Sequence, residues 1–263
     1  MPISVVTGAA SGIGAAVSEK LKSQGHTVVG VDRANADVSA DLSTPEGRKA
    51  AVEQALEKAG GKVDQLILCA GLGVTAPNAG LIVSVNYFGV SELLEGFFPA
   101  LQAGDSPSAV VVGSVASVQP GADQSPLVAK MLKNDEDGAL ALTQERENSM
   151  EAYGGSKYAV SVLVRRKAIE WGKAGVRLNV VAPGAVETPL LQASKEHPKY
   201  GEATKKFVAP LGRGSRPEEL ADVICYLTSD QASFIHGTVL FCRWRHGCNA
   251  QAGQLLNTAE DGS

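Results

Sequence analysis

Ile3-Ser-Val-Val-Thr-Gly-Ala-Ala-Ser-Gly-Ile-Gly14 sets a short β-branched run directly before a turn with glycines at 8, 12 and 14. The run reads as a strand, and the pattern from Gly12 to Gln24 reads as a helix, which is the setting a phosphate-binding glycine turn requires. Gly8 permits the turn, Gly12 lets backbone N–H groups approach phosphate, and Gly14 lets helix and sheet pack closely. A glycine-rich turn with no ligand is the plainer alternative. Outward from this stretch, strands are predicted at 27–31, 36–40, 65–69, 109–113, 177–182 and near 238–241. Helices are predicted at roughly 45–59, 82–102, Glu151 to Trp171 and roughly 217–229. Apolar strands alternating with helices imply an α/β fold of the Rossmann type: a doubly wound parallel sheet, in a single domain over 1–263, with ligands at the carboxyl ends of the strands.

Two places depart from this rhythm. Only Arg33-Ala34-Asn35 separates the second and third strands, which is short for a parallel crossover. Either a helix is missing or the third strand is a stub. Between Ser114 and Glu151 no apolar strand occurs. Ser125 to Asn134 and Gly138 to Ser149 read instead as two amphipathic helices joined by Asp135-Glu-Asp-Gly138, a helical insertion at about 118–150 before Tyr153.

The composition is that of an ordinary packed core, with 44% apolar and 20% charged residues among 263. A net charge of −4 argues against a nucleic-acid partner. Four cysteines without metal-ligand spacing favour a reduced, intracellular protein and no metal. The first strand begins at Ile3, and no apolar run approaches about 18 residues, so the expected location is the cytoplasm, with no membrane contact.

Tyr153-Gly-Gly-Ser-Lys157 carries the chemistry. Residues i and i+4 share a helix face, so the phenol and the amine project together. A free phenol titrates near 10, and a nearby ammonium is expected to stabilise the phenolate. Tyr153 then serves as general base for alcohol oxidation and general acid for carbonyl reduction. Ser114, after an apolar strand, is placed to hydrogen-bond the substrate oxygen. Taken alone, a Tyr-x-x-x-Lys is common on helix surfaces. Asp32 ends the second strand, where a carboxylate can bond an adenosine ribose and repel a 2′-phosphate, favouring NAD over NADP. Arg33 dissents and leaves room for NADP. The plain alternative is that Asp32 caps a turn.

With these residues in view, the chain resembles the short-chain dehydrogenase/reductase family over nearly its whole length. The likeness is carried by residues 7–14, Cys69-Ala-Gly71, Asn86 in Val85-Asn-Tyr-Phe-Gly89, Ser114, Tyr153, Lys157, Ala182-Pro-Gly184 and Thr188. It implies a catalytic set of Ser114, Tyr153, Lys157 and Asn86, with Lys157 also on the nicotinamide ribose and Asn86 anchoring a water in a proton relay. The cofactor set it implies is Gly8, Ser11, Gly12, Ile13, Gly14, Asp32, Asp41, Leu42, Ala70, Gly71, Tyr153, Lys157, Pro183, Gly184, Val186 and Thr188. Cys69 replaces the usual asparagine. Further stretches, among them Leu68-Cys-Ala-Gly-Leu-Gly73 and Ala182 to Gln192, are similar to bacterial members acting at C3 of steroids and on carbonyls generally. That likeness implies a hydrophobic, steroidal substrate. Another hydrophobic alcohol or a hydroxyacyl substrate is the alternative, and a non-catalytic dinucleotide sensor a more distant one.

Pro189 to Leu211 mixes Leu190, Leu191, Phe207, Val208 and Leu211 with polar residues and is expected to form a mobile, partly apolar lid, or else an ordinary surface loop. Family members commonly associate through the helices carrying Asn86 and Tyr153. The insertion can block that contact or replace it with its own stripe, Leu127, Val128, Met131, Leu132, Leu140 and Leu142, and a homodimer that uses residues 118–150 is expected. Residues 242–263 form an atypical tail. Codons for the family's Val-Asp-Gly-Gly, read with one extra preceding base, yield Cys-Arg-Trp-Arg and then His, so a frameshifted reading is expected. A divergent tail or basic patch is the alternative, and Cys242 with His246 makes a poor metal site.

Overall fold

The computed structural model describes residues 1–206 and 211–243. Seven strands form one all-parallel sheet: β1 Ile3–Thr7, β2 Thr27–Asp32, β3 Val38–Ser39, β4 Gln65–Leu68, β5 Ser108–Val112, β6 Arg177–Pro183 and β7 Val239–Cys242. Their order is β3-β2-β1-β4-β5-β6-β7, so the progression of strands across the sheet reverses between β1 and β4. That is the doubly wound arrangement expected from the sequence, a fold in which ligands bind at the switch point. Helices α1 Gly12–Ser23, α2 Pro45–Lys58, α3 Ala79–Val83, α4 Val90–Gln102, α5 Pro126–Leu132, α6 Glu136–Glu145, α7 Ser149–Lys173, α8 Pro189–Glu196, α9 Gly201–Lys206 and α10 Pro217–Thr228 complete it.

Alternation along each strand divides the core. Val5, Leu66, Leu68, Val111 and Val180 face the layer of α2, α4 and α7, whereas Val6, Ile67, Val110, Val112 and Val181 face α1 and α10. Adjacent residues of a strand point to opposite faces, so both faces need apolar cover and the strands read as continuous apolar runs.

The short second crossover resolves as a stub. β3 has two residues and pairs in parallel with β2. The link turns at Asn35, with φ 56°, and is pinned where the Gly30 N–H donates to Asp37 Oδ2 at 2.8 Å. The predicted 82–102 helix starts earlier, at Ala79, and widens into a π-helical segment at Ser84–Gly89. The Ala79–Gln102 run is long and apolar enough to cross a membrane, with mean hydropathy 1.3 over its richest window, but 67% of that window is buried inside the fold. It is a core helix.

The inserted hairpin forms, with shifted boundaries. Asp135 is not a joint but the N-cap of α6, accepting from the Gly138 N–H at 2.9 Å, and Glu136 and Asp137 occupy the first turn, where acidic groups suit the helix dipole. The stripe assigned to a dimer contact is used within the subunit. Leu127, Val128 and Met131 are buried, and Val128 and Met131 close over Gly155 of α7, where an added Cβ would lie 3.1 Å from Val128 Cγ2. Leu140 covers Gly80 of α3 in the same way. Leu132 and Leu142 are half-buried against the core. Within the expected lid, Pro189–Glu196 and Gly201–Lys206 are helical, so the plainer alternative of an ordinary loop does not hold there. Phe207, Val208 and residues 244–263, with most of the atypical tail, lie outside the described residues.

Candidate active site

Gly8 and Gly14 have the tight backbone surroundings read from the sequence. Gly8 has φ +68°, and a Cβ there would sit 2.9 Å from the Ala70 nitrogen. Gly12 has φ +54° and faces the Thr188 methyl at 3.2 Å, so the turn meets the loop after β6. At Gly14 a Cβ would lie 2.2 Å from the Gly8 carbonyl oxygen. Ser11 is the N-cap of α1 in extended backbone, yet its side chain makes no cap bond. Ile13, in the first turn of α1, packs on the α1–α10 core. No side chain at Gly8, Gly12 or Gly14 obstructs this cradle, which fits a dinucleotide's phosphates.

Asp32, at the carboxyl end of β2, accepts the Ala10 N–H at 3.0 Å on Oδ2 and its neighbour Arg33 N–H at 2.7 Å on Oδ1. It does brace a turn, as the plainer reading held, but each carboxylate oxygen keeps a second acceptor site for a ribose hydroxyl. Asp41 accepts the Ser43 N–H at 2.9 Å, a bond that holds its carboxyl below the usual range, and Leu42 beside it is buried. Across β1, the Ala70 N–H donates to Thr7 Oγ1 at 3.1 Å. Gly71 sits between functional groups, since an added Cβ would meet Asn86 Oδ1 at 3.2 Å and Lys157 Nζ at 3.5 Å. Pro183 ends β6, the Gly184 N–H donates to the Cys242 carbonyl, Val186 is buried, and Thr188 caps α8. Of the sixteen predicted cofactor positions, Tyr153 and Lys157 lie on α7, and the others lie at strand ends, in the loops that follow them or in the first turn of α1.

Asn86 is fully buried in the π-helical segment. Its Oδ1 accepts the Leu72 N–H at 2.7 Å and its Nδ2 donates to the Leu72 carbonyl at 3.0 Å. Its amide therefore fixes the strand-β4 loop. The widened turn delivers it, a placement common at functional sites. Ser114 follows β5 and accepts the Ala116 N–H at 3.1 Å. Lys157, 6% exposed, donates from Nζ to the Val112 carbonyl at 2.9 Å.

The electrostatics correct one expectation. Burial raises the Tyr153 phenol above its ordinary 10, and only a polar contact with Ser114 draws it down. Lys157 does not supply the depression expected of it; burial pushes its own amine down to about 8. The Cys69 thiol, pushed up to about 12 by burial, is inert as a nucleophile near neutrality.

A stability test follows. Between about pH 8 and 10.5 the unfolded chain binds a proton at Lys157 that the folded chain has lost, so this group makes stability rise with pH across that window. Chemical denaturation of Lys157→Met should remove up to ~3 kcal/mol of that rise. Equal pH slopes in both proteins would show that the amine is not desolvated.

Sequence reading missed Arg48, Leu72 and Gln119. Arg48 lies in a polar helix whose sequence does not distinguish it from a surface cation. Gln119 Oε1 overhangs Gly154, where an added Cβ would lie 2.3 Å away, and nothing local marks it.

A parallel sheet with a glycine-turn phosphate cradle, and a half-buried phenol beside a buried hydroxyl and amine at the same edge, defines the site of a nucleotide-linked oxidoreductase. Residues 2–129 match the family model for short chain dehydrogenases, and residues 139–242 match that described as enoyl-(acyl carrier protein) reductase. The chain is 49% identical to the 3-alpha-hydroxysteroid dehydrogenase/carbonyl reductase of Comamonas testosteroni, over 90% of this chain and 93% of that one. It is 34% identical to a coniferyl-alcohol dehydrogenase of a Pseudomonas strain, over 89% and 91%. Among solved structures it is similar to the 3-alpha-hydroxysteroid dehydrogenase from Pseudomonas sp. B-0831 complexed with NADH, with TM-score 0.90 and 58% identity over 91% and 94% of the two chains. The chain belongs to the short-chain dehydrogenase family, and is an oxidoreductase acting on CH–OH groups.

Proposed function

We propose that this protein is an NAD-dependent 3α-hydroxysteroid dehydrogenase and carbonyl reductase, with Tyr153 as general acid and base. The observation that carries the chemistry is the half-buried Tyr153 phenol with a polar contact to Ser114, one helical turn from Lys157. The steroid and the choice of NAD rest on the Comamonas and Pseudomonas relatives, and Asp32 supports NAD.

The fit of the crevice to a dinucleotide rests on the backbone cradle at Gly8, Gly12 and Gly14. Ser11 to Gly14 would hold its phosphates, Asp32, Asp41 and Leu42 the adenosine side, and Ala70, Gly71, Lys157 and Pro183 to Thr188 the nicotinamide side. When bound, the nicotinamide supplies hydride acceptance and donation. Ser114 orients the substrate oxygen. Tyr153 donates a proton to that oxygen in reduction and removes it in oxidation. A phenol kept protonated by burial suits the acid role at neutral pH, so oxidation should accelerate as pH rises while reduction does not. Lys157, with one of its three donors on Val112, retains two for a ribose. Asn86 holds the Leu72 loop and so the floor beside Lys157.

Initial rates with NAD and NADP on 3α- and 3β-hydroxysteroids, a hydroxyacyl thioester and a simple aromatic alcohol test this reading. Turnover of a 3α-hydroxysteroid with NAD is expected to dominate. Preference for the thioester would move the protein to the alternative substrate class, and dinucleotide binding without turnover would make it a sensor.

The proposal includes a cytoplasmic homodimer in which the hairpin covers the family's usual contact instead of forming a new one. Its outer residues, such as Lys133, Asp137 and Gln144, are polar and lie at least partly in solvent. Lys133→Glu should leave a dimeric mass in light scattering. Dissociation would return the contact to the hairpin.

A further inference from the structure

Arg48 of α2 is fully buried, and its guanidinium joins four parts of the chain. Nε donates to the Leu42 carbonyl at 2.9 Å and Nη2 to the Ser43 carbonyl at 3.3 Å. Nη2 also reaches the Ser84 carbonyl at 3.3 Å, where the π-helical segment carrying Asn86 begins. Nη1 donates to Glu92 of α4 at 2.7 Å. The hairpin supplies the bidentate partner: Glu136 accepts from Nη1 at 2.7 Å and from Nη2 at 2.6 Å, and takes a further bond from Ser84 Oγ at 3.0 Å. Forked pairing of this kind fixes direction as well as distance.

We propose that the inserted hairpin positions the adenosine side of the dinucleotide site through Glu136 and Arg48. The inference rests on the reading of Asp41 and Leu42 as part of that site. The path is short. The Ala40 N–H donates to the Asp32 carbonyl at 2.9 Å, Asp41 and Leu42 follow directly, and Arg48 then holds the Leu42 and Ser43 carbonyls while Glu136 holds Arg48. Gly89 lies against the same Leu42 carbonyl, so the loop is gripped from two sides. Without Glu136 the guanidinium turns toward Glu92 on α4, and the two carbonyls lose their aimed donors. Glu136 and Arg48 are positioning residues that act on a bound dinucleotide through residues 41–43. Linkage requires reciprocity: whatever hairpin docking adds to adenosine-side affinity, a bound adenosine diphosphate moiety must return to hairpin docking.

Calorimetric titration of the full chain with ADP-ribose and with nicotinamide mononucleotide tests this, using wild type, Glu136→Gln and Asp41→Ala. In Glu136→Gln, ADP-ribose is expected to bind roughly 5- to 50-fold more weakly, while nicotinamide mononucleotide is unaffected. ADP-ribose should also slow amide exchange across 126–145 in wild type and much less in the variant, a readout that a merely structural role would not move. If Glu136→Gln does not fold, Ser84→Ala, which removes one bond to Glu136, is expected to show the same split with a smaller shift. Weakened binding in Asp41→Ala alone, with Glu136→Gln or Ser84→Ala like wild type, overturns the hairpin's role and leaves the cofactor reading standing. Unchanged ADP-ribose binding in Asp41→Ala removes the wall on which the inference rests and overturns both.

Discussion

Tyr153→Phe is expected to lower kcat about 10³-fold while NAD affinity stays within a factor of about two, since general acid–base transfer contributes roughly 10²–10⁴. The substitution deletes one oxygen and keeps the ring. That ring is half-buried against the core at the head of a 25-residue helix, so its packing survives. The loss should appear in both directions, because the same proton is delivered in reduction and removed in oxidation. Stopped-flow turnover and fluorescence titration of NAD measure the two quantities separately. A variant that retains more than a tenth of wild-type kcat would assign the proton to another group.

Gly14→Ala should cost about 3 kcal/mol of stability and at least about tenfold in dinucleotide affinity. The new Cβ would lie 2.2 Å from the Gly8 carbonyl oxygen and 2.6 Å from its carbon, both backbone atoms of the turn, so the turn itself must open. Gly25→Ala is the fitting control. Gly25 has φ +86°, but an added methyl there would meet no atom within 4 Å, so the variant suffers only backbone strain, about 1–2 kcal/mol, and keeps its affinity for NAD. Denaturant unfolding and NAD titration of both variants decide the matter. Equal losses in the two would mean that close packing at Gly14 is not what the turn requires.

Much of this was legible because the signals were periodic or local. Strand and helix periods differ, so the alternation of Val5 with Val6 and of Leu66 with Ile67 marked a sheet buried on both faces. The glycine spacing carried backbone requirements that Gly8, Gly12 and Gly14 meet. What stayed hidden depends on distant partners. The π-helical widening at Asn86 carries no local sequence signal. The hairpin's apolar stripe was readable, but not that α3 and α7 of the same subunit would cover it. Arg48 sits between Gly47 and Lys49 like any surface cation, and only the fold brings Glu92 and Glu136 to it. The effect of Lys157 on Tyr153 was misjudged for a related reason: helical spacing shows that two groups share a face but says nothing of how far burial shifts each of them.

The most direct measurement is a crystal structure of the protein with NADH and a 3-ketosteroid. The expected result places the ketone oxygen within hydrogen-bonding distance of both Ser114 Oγ and Tyr153 Oη, with Lys157 on the nicotinamide ribose. A ketone oxygen bound away from Tyr153, with its reacting carbon turned from the nicotinamide, would contradict the proposed chemistry.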